Sequence, residues 1–401
     1  MKILFLLNGP THYFNAVLNR LNKTDGYEIV VIAPETKNST VGKGVHLTNQ
    51  GIKFKVDFSK EVKRLYNKVF FENFSEIIKI EKPDAIVFIW PYILELVFNP
   101  FLLINLKRKK IKIIFKEIPF QLQSFKEALT FKPFPFIDEN YIQRGISLTE
   151  RINNLFVALL RKYFYFFIDL NLHYIEDGYS ILETYGVPKS KIAVTLNSPD
   201  TDKLIEAKLE SLKLYKILPD NPFRIIHVGR LVKWKRVDFL IEAVAKLSES
   251  FNKIELVVIG DGPELNNLQN LAKELKVENK IDFVGAVYDP ILLGRYFNSS
   301  SIYVLGGMGG LSINEAMVFE KPIICSICDG TEKVLVRDGY NGYLFENGNL
   351  ESLIEKLTLL LSDENKIQIF GKNSLNIIQN EINIDTVVSG YLKAFNYVTN
   401  N

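Results

Sequence analysis

Short apolar runs recur along the chain, each closed by Gly, Pro or charge and followed by apolar positions three and four apart. Residues 2–7 (KILFLL) predict a buried parallel strand. Asn8, Gly9, Pro10 and Thr11 predict a turn, and 12–21 a helix with Phe14, Val17, Leu18 and Leu21 on one face. Strands are expected over 27–33, 85–89, 111–115, 169–174 and 192–196, and helices over 62–80 and 178–185. A second alternating block predicts strands at 224–228, 254–259, 281–283, 302–305 and 322–325. Its helices are expected at 237–247, 264–275, near 291–297, near 312–319 and at 350–361, with a tail helix at 386–398. Strand–helix alternation of this kind predicts an α/β fold of two doubly wound, Rossmann-like domains facing a cleft. The polar stretch 198–222, closing at Pro219-Asp220-Asn221-Pro222, marks the boundary. The expected domains are 1–200 and 201–380, followed by a helix within 381–401.

Residues 121–172 break the pattern. They are rich in Phe and Tyr with basic residues interleaved, and read as a loop followed by a long helix. Such a helix either lies on a membrane or receives a lipid-linked acceptor, or it is a core helix with snorkelling cations. The basic run 107–110 reads as a solvated helix end with affinity for anionic lipid as the alternative.

Composition narrows the class. The chain has 401 residues, 47% of them apolar, enough for two cores. A net charge of +3 is too small for a surface that tracks nucleic-acid phosphates. Cys325 and Cys328 form a Cys-x-x-Cys without a second pair, and the four His are scattered, so no metal site is expected. The apolar start lacks a cleavage pattern and no run is long enough to span a bilayer, so a cytoplasmic protein is expected.

The chemistry gathers at predicted strand ends, where open parallel sheets bind ligands. Gly229 and Arg230 end one strand, and Lys233, Lys235 and Arg236 precede the next helix. Fixed cations there would neutralise a diphosphate leaving group. Gly260-Asp261-Gly262-Pro263 reads as a structural turn beside that site. The glycines of 306–310 let backbone approach a ligand, so Gly309, Gly310, Leu311 and Ser312 are candidates for phosphate and sugar oxygens. Glu315, just inside the following helix, can accept two ribose hydroxyls. In the first domain, Gly9 and His12 top the first strand, and Glu117 follows the strand at 111–115. His12 is a candidate for orienting acceptor or phosphate, and Glu117 for contacting the acceptor or the reactive sugar carbon.

Together these residues resemble the retaining GT-B glycosyltransferases of family 4, of the cell-surface polysaccharide type. The likeness is densest from Ile225 to Leu361, through His227-Val228-Gly229-Arg230-Leu231, Val258-Ile259-Gly260-Asp261-Gly262-Pro263 and Gly310-Leu311-Ser312-Ile313-Asn314-Glu315-Ala316-Met317. The resemblance implies sugar transfer from a UDP- or GDP-linked donor to a glycan or lipid-linked acceptor, with retention and without cofactor or metal. It implies Arg230 and Lys235 on the diphosphate, Glu315 on the ribose, and a final helix returning to the first domain. Work at the inner membrane face, through a peripheral contact at 121–172, is the expectation where that stretch lies on a membrane. The family's usual motif has two Glu separated by seven residues, and here the first position is Gly307. Two other readings stand beside this one: a catalytically silent nucleotide-sugar-binding partner, and a GT-B-like sugar-nucleotide epimerase.

Overall fold

The computed structural model describes residues 1–35, 49–63, 68–119, 122–133, 138, 140, 142, 147–328 and 330–400. It divides into two compact units, one of residues 1–136, 144–196 and 385–401, the other of 137–143 and 197–384.

The first unit is built on a seven-stranded parallel sheet. Its strands are β1 (Lys2–Leu6), β2 (Glu28–Pro34), β3 (Lys55–Ser59), β6 (Ala85–Phe88), β7 (Lys112–Lys116), β8 (Leu170–His173) and β9 (Ile192–Val194). Their spatial order is β3-β2-β1-β6-β7-β8-β9, so the order reverses beside β1. A separate antiparallel hairpin pairs β4 (Glu61–Lys63) with β5 (Val69–Phe71).

One face of the sheet presents Leu4, Leu6, Ile86 and Ile113 to a core that takes in Phe164 and Tyr165 of the helix Leu148–Phe167. Burial of each such side chain stabilises by about 1.5–3 kcal/mol. Elsewhere Phe5 meets Phe14 of the helix His12–Lys23 and Phe395 of the helix Ile384–Asn400, both edge-on. The chain's last helix is further tied to this unit by Tyr27 Oη donating to Asn396 Oδ1 at 2.7 Å and by the Arg20–Asp385 ion pair. The C-terminal helix therefore returns to the first domain, as expected.

The second unit carries a six-stranded parallel sheet. Its strands are β10 (Arg224–Val228), β11 (Glu255–Ile259), β12 (Ile281–Gly285), β13 (Ile302–Leu305), β14 (Ile323–Ser326) and β15 (Gly342–Phe345), in the order β12-β11-β10-β13-β14-β15. Ile225, Val258 and Val304 pack against Leu240 and Val244 of the helix Val237–Leu247 and Leu353 and Leu357 of the helix Leu350–Leu361. The order reverses beside β10, and the crevice outside the ends of β10 and β13 is a topological switch point.

Two expectations are corrected. A single helix over 62–80 is replaced by the β4–β5 hairpin and a helix at Phe74–Glu81; residues 64–67 lie outside the described set. Tertiary burial outweighs the helical period there. Phe70 and Phe71 are both buried, Phe71 stacks on Tyr92 at 4.4 Å, and Tyr92 Oη donates to Glu61 Oε1 at 2.7 Å. The polar stretch after residue 198 contains the helix Thr201–Leu212 of the second unit, with Leu204 and Ala207 buried. The helix Leu148–Phe167 buries Ala158, Phe164 and Tyr165 and exposes Ile152, Phe156 and Phe166. Phe134, Pro135 and Phe136 of the 121–172 stretch fall outside the described residues. Among the described residues no helix is long and apolar enough to cross a membrane.

Candidate donor site at a sheet switch point

The second unit's candidate residues converge on the ends of β10 and β13. From Gly229 the chain runs beside the turn that follows β11. Gly229 N–H donates to Ile259 O at 2.9 Å and Leu231 N–H to Asp261 O at 2.9 Å. A β-carbon on Gly260 would lie 1.8 Å from Gly229 O, and one on Gly262 2.3 Å from Leu231 O. Both glycines have positive φ, so only glycine fits this contact. The 260–262 turn thus braces the Gly229–Arg230 loop.

A short 3-10 turn, Lys233–Lys235, then folds against the glycine loop after β13. Met308 N–H donates to Trp234 O at 2.8 Å. Lys235 is nearly buried, and its Nζ donates to Met308 O at 2.7 Å and to Gly309 O. A β-carbon on Gly310 would stand 3.2 Å from that ammonium. Lys235 therefore fixes a positive charge in the switch-point crevice. Arg230 is half-buried with its guanidinium 5.9 Å from the Trp234 ring. Arg236 is already committed: it adopts a left-handed conformation and pairs with Asp238 at 2.9 Å.

Leu311 caps the helix Ser312–Val318. Ser312 Oγ lies 2.8 Å from Tyr303 Oη, which also reaches Val228 O at 3.4 Å. Tyr303, which the sequence offers only as a strand residue, thus ties the start of this helix to the end of β10. Glu315 sits in the helix's first turn, and burial pushes its carboxyl up to about 7. His227 is fully buried beneath the loop. Its Nδ1 lies 3.1 Å from Val304 O, and burial lowers its pKa to about 4.

The first unit's candidates separate into two settings. Gly9 lies buried in the turn after β1 with φ 138°, and His12 opens the helix His12–Lys23 with its side chain exposed. Glu117, just past β7, is buried. It accepts Tyr165 Oη at 2.5 Å and pairs with Arg161 Nε at 3.6 Å. Loss of hydration raises its pKa, and the Arg161 charge opposes that rise. Arg161 in turn lies over the Trp90 ring at 5.4 Å. The sequence placed Glu117 at a strand end but carried no sign of its partners, which come from a helix whose apolar residues run round it.

Cys325 and Cys328 are not joined in a disulfide, and among the described residues no group of three or more His, Cys, Asp or Glu is placed to hold a metal ion.

Residues 215–376 match the family model described as glycosyl transferases group 1. An uncharacterized glycosyltransferase of Methanocaldococcus jannaschii is 32% identical over 202 residues, 48% of this chain and 50% of that protein. The capsular polysaccharide biosynthesis glycosyltransferase CapM of Staphylococcus aureus is 28% identical over 293 residues, 68% of this chain and 75% of CapM. Among solved structures, HepE of Anabaena in complex with UDP is similar with a TM-score of 0.66 and 16% identity, over 99% of this chain and 100% of HepE. The chain spans about half the length of the first curated relatives it matches. The fold is that of the GT-B glycosyltransferases, and residues 215–376 are similar to the group 1 glycosyl transferases.

Proposed function

We propose that this protein is a retaining, family 4-type glycosyltransferase. It moves a sugar from a UDP- or GDP-linked donor to a glycan or lipid-linked acceptor in polysaccharide synthesis, without a metal, at the cytoplasmic face of a membrane. The observation that carries the reading is the buried Lys235 ammonium, held by Met308 O and Gly309 O at the β10/β13 switch point. A fixed cation in that position suits a leaving diphosphate. When the bond between the anomeric carbon and the β-phosphate oxygen breaks, charge builds on the phosphate. Lys235 and Arg230 would offset it without reorganising. Glu315 would take the ribose hydroxyls, and the backbone of 309–312 the phosphate and sugar oxygens. In the first unit, Glu117 and His12 would serve the acceptor side, with Gly9 allowing close approach. Two named relatives point the same way: CapM is a capsular polysaccharide glycosyltransferase, and HepE binds UDP.

A second reading, a silent nucleotide-sugar binder, draws on Gly307. A β-carbon there would meet Trp234 O at 2.0 Å, so the position is held as glycine by packing. Thermal-shift screening of UDP-, GDP- and CMP-sugars, followed by turnover with glycan and lipid-linked acceptor extracts, separates the readings. Stabilisation by a nucleotide sugar with turnover supports the transferase. Binding of UDP or GDP with no donor consumed by any extract supports the silent binder.

A further inference from the structure

A cavity of about 650 Å³ opens at the starts of the second unit's strands. Pro222 stands just before β10, Ser300 and Ser301 just before β13 and Lys321 just before β14, and all four line it. Parallel strands put their starts at one end of the sheet, so the cavity is separate from the switch-point crevice at their far ends. Its volume is that of a small-molecule site, about 300–1,000 Å³.

The cations that line it fall into two groups. Lys208 pairs with Glu320 at 2.6 Å and Lys216 with Asp220. Arg295, Lys321 and Lys372 have no carboxylate partner among the described residues. Arg295 donates only through Nε, to Tyr215 O at 3.2 Å, and Lys321 Nζ donates to Ser300 O at 2.8 Å. A guanidinium carries five N–H donors and an ammonium three, so most of these donors stay open. Glu364, the other lining carboxylate, is exposed and bonds none of the three. Burial lowers the Lys321 pKa to about 8, with Glu320 opposing the fall and Lys208 and Lys216 adding to it. The ammoniums therefore stand close enough to repel one another.

Cations at helix C-termini are ordinary, and the helices Thr201–Leu212, Pro290–Asn298 and Ser312–Val318 all end here. Each end carries about half a negative charge, which three unpaired cations exceed. The helix Glu364–Asn380 begins at the wall and adds its positive end. Open N–H donors around a space of this size suit a compact oxyanion. Phosphate takes a guanidinium bidentately and an ammonium as a point charge. Tyr215, 94% exposed, and Leu212 stand at the rim, where they can cover an organic body. We propose that this cavity is a second ligand site, which binds the phosphoryl group of a small phosphorylated molecule through Arg295, Lys321 and Lys372.

Calorimetric titration of the full chain at pH 7 with inorganic phosphate and with glucose 6-phosphate tests this, with glucose as the neutral control. Both phosphates should bind and glucose should not. Arg295→Gln should weaken phosphate binding about tenfold or more, since a charge-assisted pair of bonds is lost. Lys372→Gln changes an exposed side chain that bonds nothing, so it should weaken binding roughly threefold. Both variants should keep the unfolding midpoint and the UDP affinity of the wild type. Tighter binding of the ester identifies an organic phosphate as the ligand; equal or weaker binding identifies free phosphate. No binding to the wild type, equal binding of glucose, or unchanged binding in both cavity variants overturns the site. Loss in Arg230→Ala without loss in Arg295→Gln places the phosphate at the candidate donor site and also overturns it.

Discussion

Gly307 lies so close to Trp234 that a β-carbon on it would fall 2.0 Å from the Trp234 carbonyl oxygen. The same carbonyl accepts the Met308 N–H, so the two loops meet backbone to backbone. The carboxylate that the resembled family usually carries here therefore cannot be restored by one substitution. Gly307→Ala and Gly307→Glu should each cost about 1–3 kcal/mol through displaced backbone, lowering the unfolding midpoint by roughly 2–4 °C per kcal/mol. Neither should raise turnover. A Gly307→Glu protein with an unchanged midpoint and faster transfer would show that packing does not impose the glycine.

Lys235 and Arg230 share a proposed role but not a structural one. The Lys235 ammonium satisfies two loop carbonyls from a nearly buried position, whereas Arg230 is half-buried on the loop itself. Both Lys235→Ala and Arg230→Ala should weaken UDP or GDP binding by at least about tenfold, since a charge-assisted bond is lost. Only Lys235→Ala should also destabilise the protein, by about 1–3 kcal/mol from the stranded carbonyls. Calorimetric titration and urea unfolding read the two effects. Unchanged nucleotide affinity in both variants would remove the diphosphate assignment.

Glu315, proposed to hold the ribose, should make nucleotide binding sensitive to pH. Burial pushes its carboxyl up to about 7, and ribose hydroxyls donate to the ionised form. Raising pH from 6 to 8 should therefore strengthen nucleoside diphosphate binding by about tenfold beyond any change in pyrophosphate binding. The sign reverses for stability. A carboxyl raised from its ordinary value binds more protons when folded, so its contribution falls as pH rises from about 4.5 to about 7. Glu315→Gln should flatten both slopes, and Glu315→Ala should weaken nucleoside diphosphates while sparing pyrophosphate. Equal losses for the two ligands would argue against ribose contact.

Much of the fold was legible because most buried strands are apolar runs that stop at a turn residue or a charge, as at Val228-Gly229 and Leu305-Gly306. The switch-point loops were legible for the same reason: glycines and cations stand at the strand ends. The β4–β5 hairpin was not, because Val69-Phe70-Phe71 also fits a helical period, and only the stacking on Tyr92 decides between them. Nor were the partners of Glu117. Tyr165 and Arg161 lie far along the chain, in a segment whose apolar character hides which side faces inward. The Gly307–Trp234 contact was hidden too, since sequence shows that glycine is present and not what crowds it.

Each unit also holds a histidine that folding keeps neutral, and that makes acid stability testable. His227 is fully buried, with Nδ1 against Val304 O and Nε2 without a partner. His173 is buried in the first unit with neither ring nitrogen bonded. Burial lowers both to about 4, helped by the nearby Lys235 charge for His227 and the Lys116 charge for His173. A depressed pKa means that the unfolded chain binds more protons between about pH 6.5 and 4, so stability is full above 6.5 and is lost as pH falls. Each residue should contribute up to roughly 3 kcal/mol to that loss. His227→Asn retains an N–H for Val304 O and removes the titration, so the second unit should lose correspondingly less stability between pH 7 and 4.5. Urea unfolding at several pH values measures this, with the two units followed as separate transitions where they resolve. The same acid loss in wild type and His227→Asn would show that the buried imidazole does not set the second unit's acid limit.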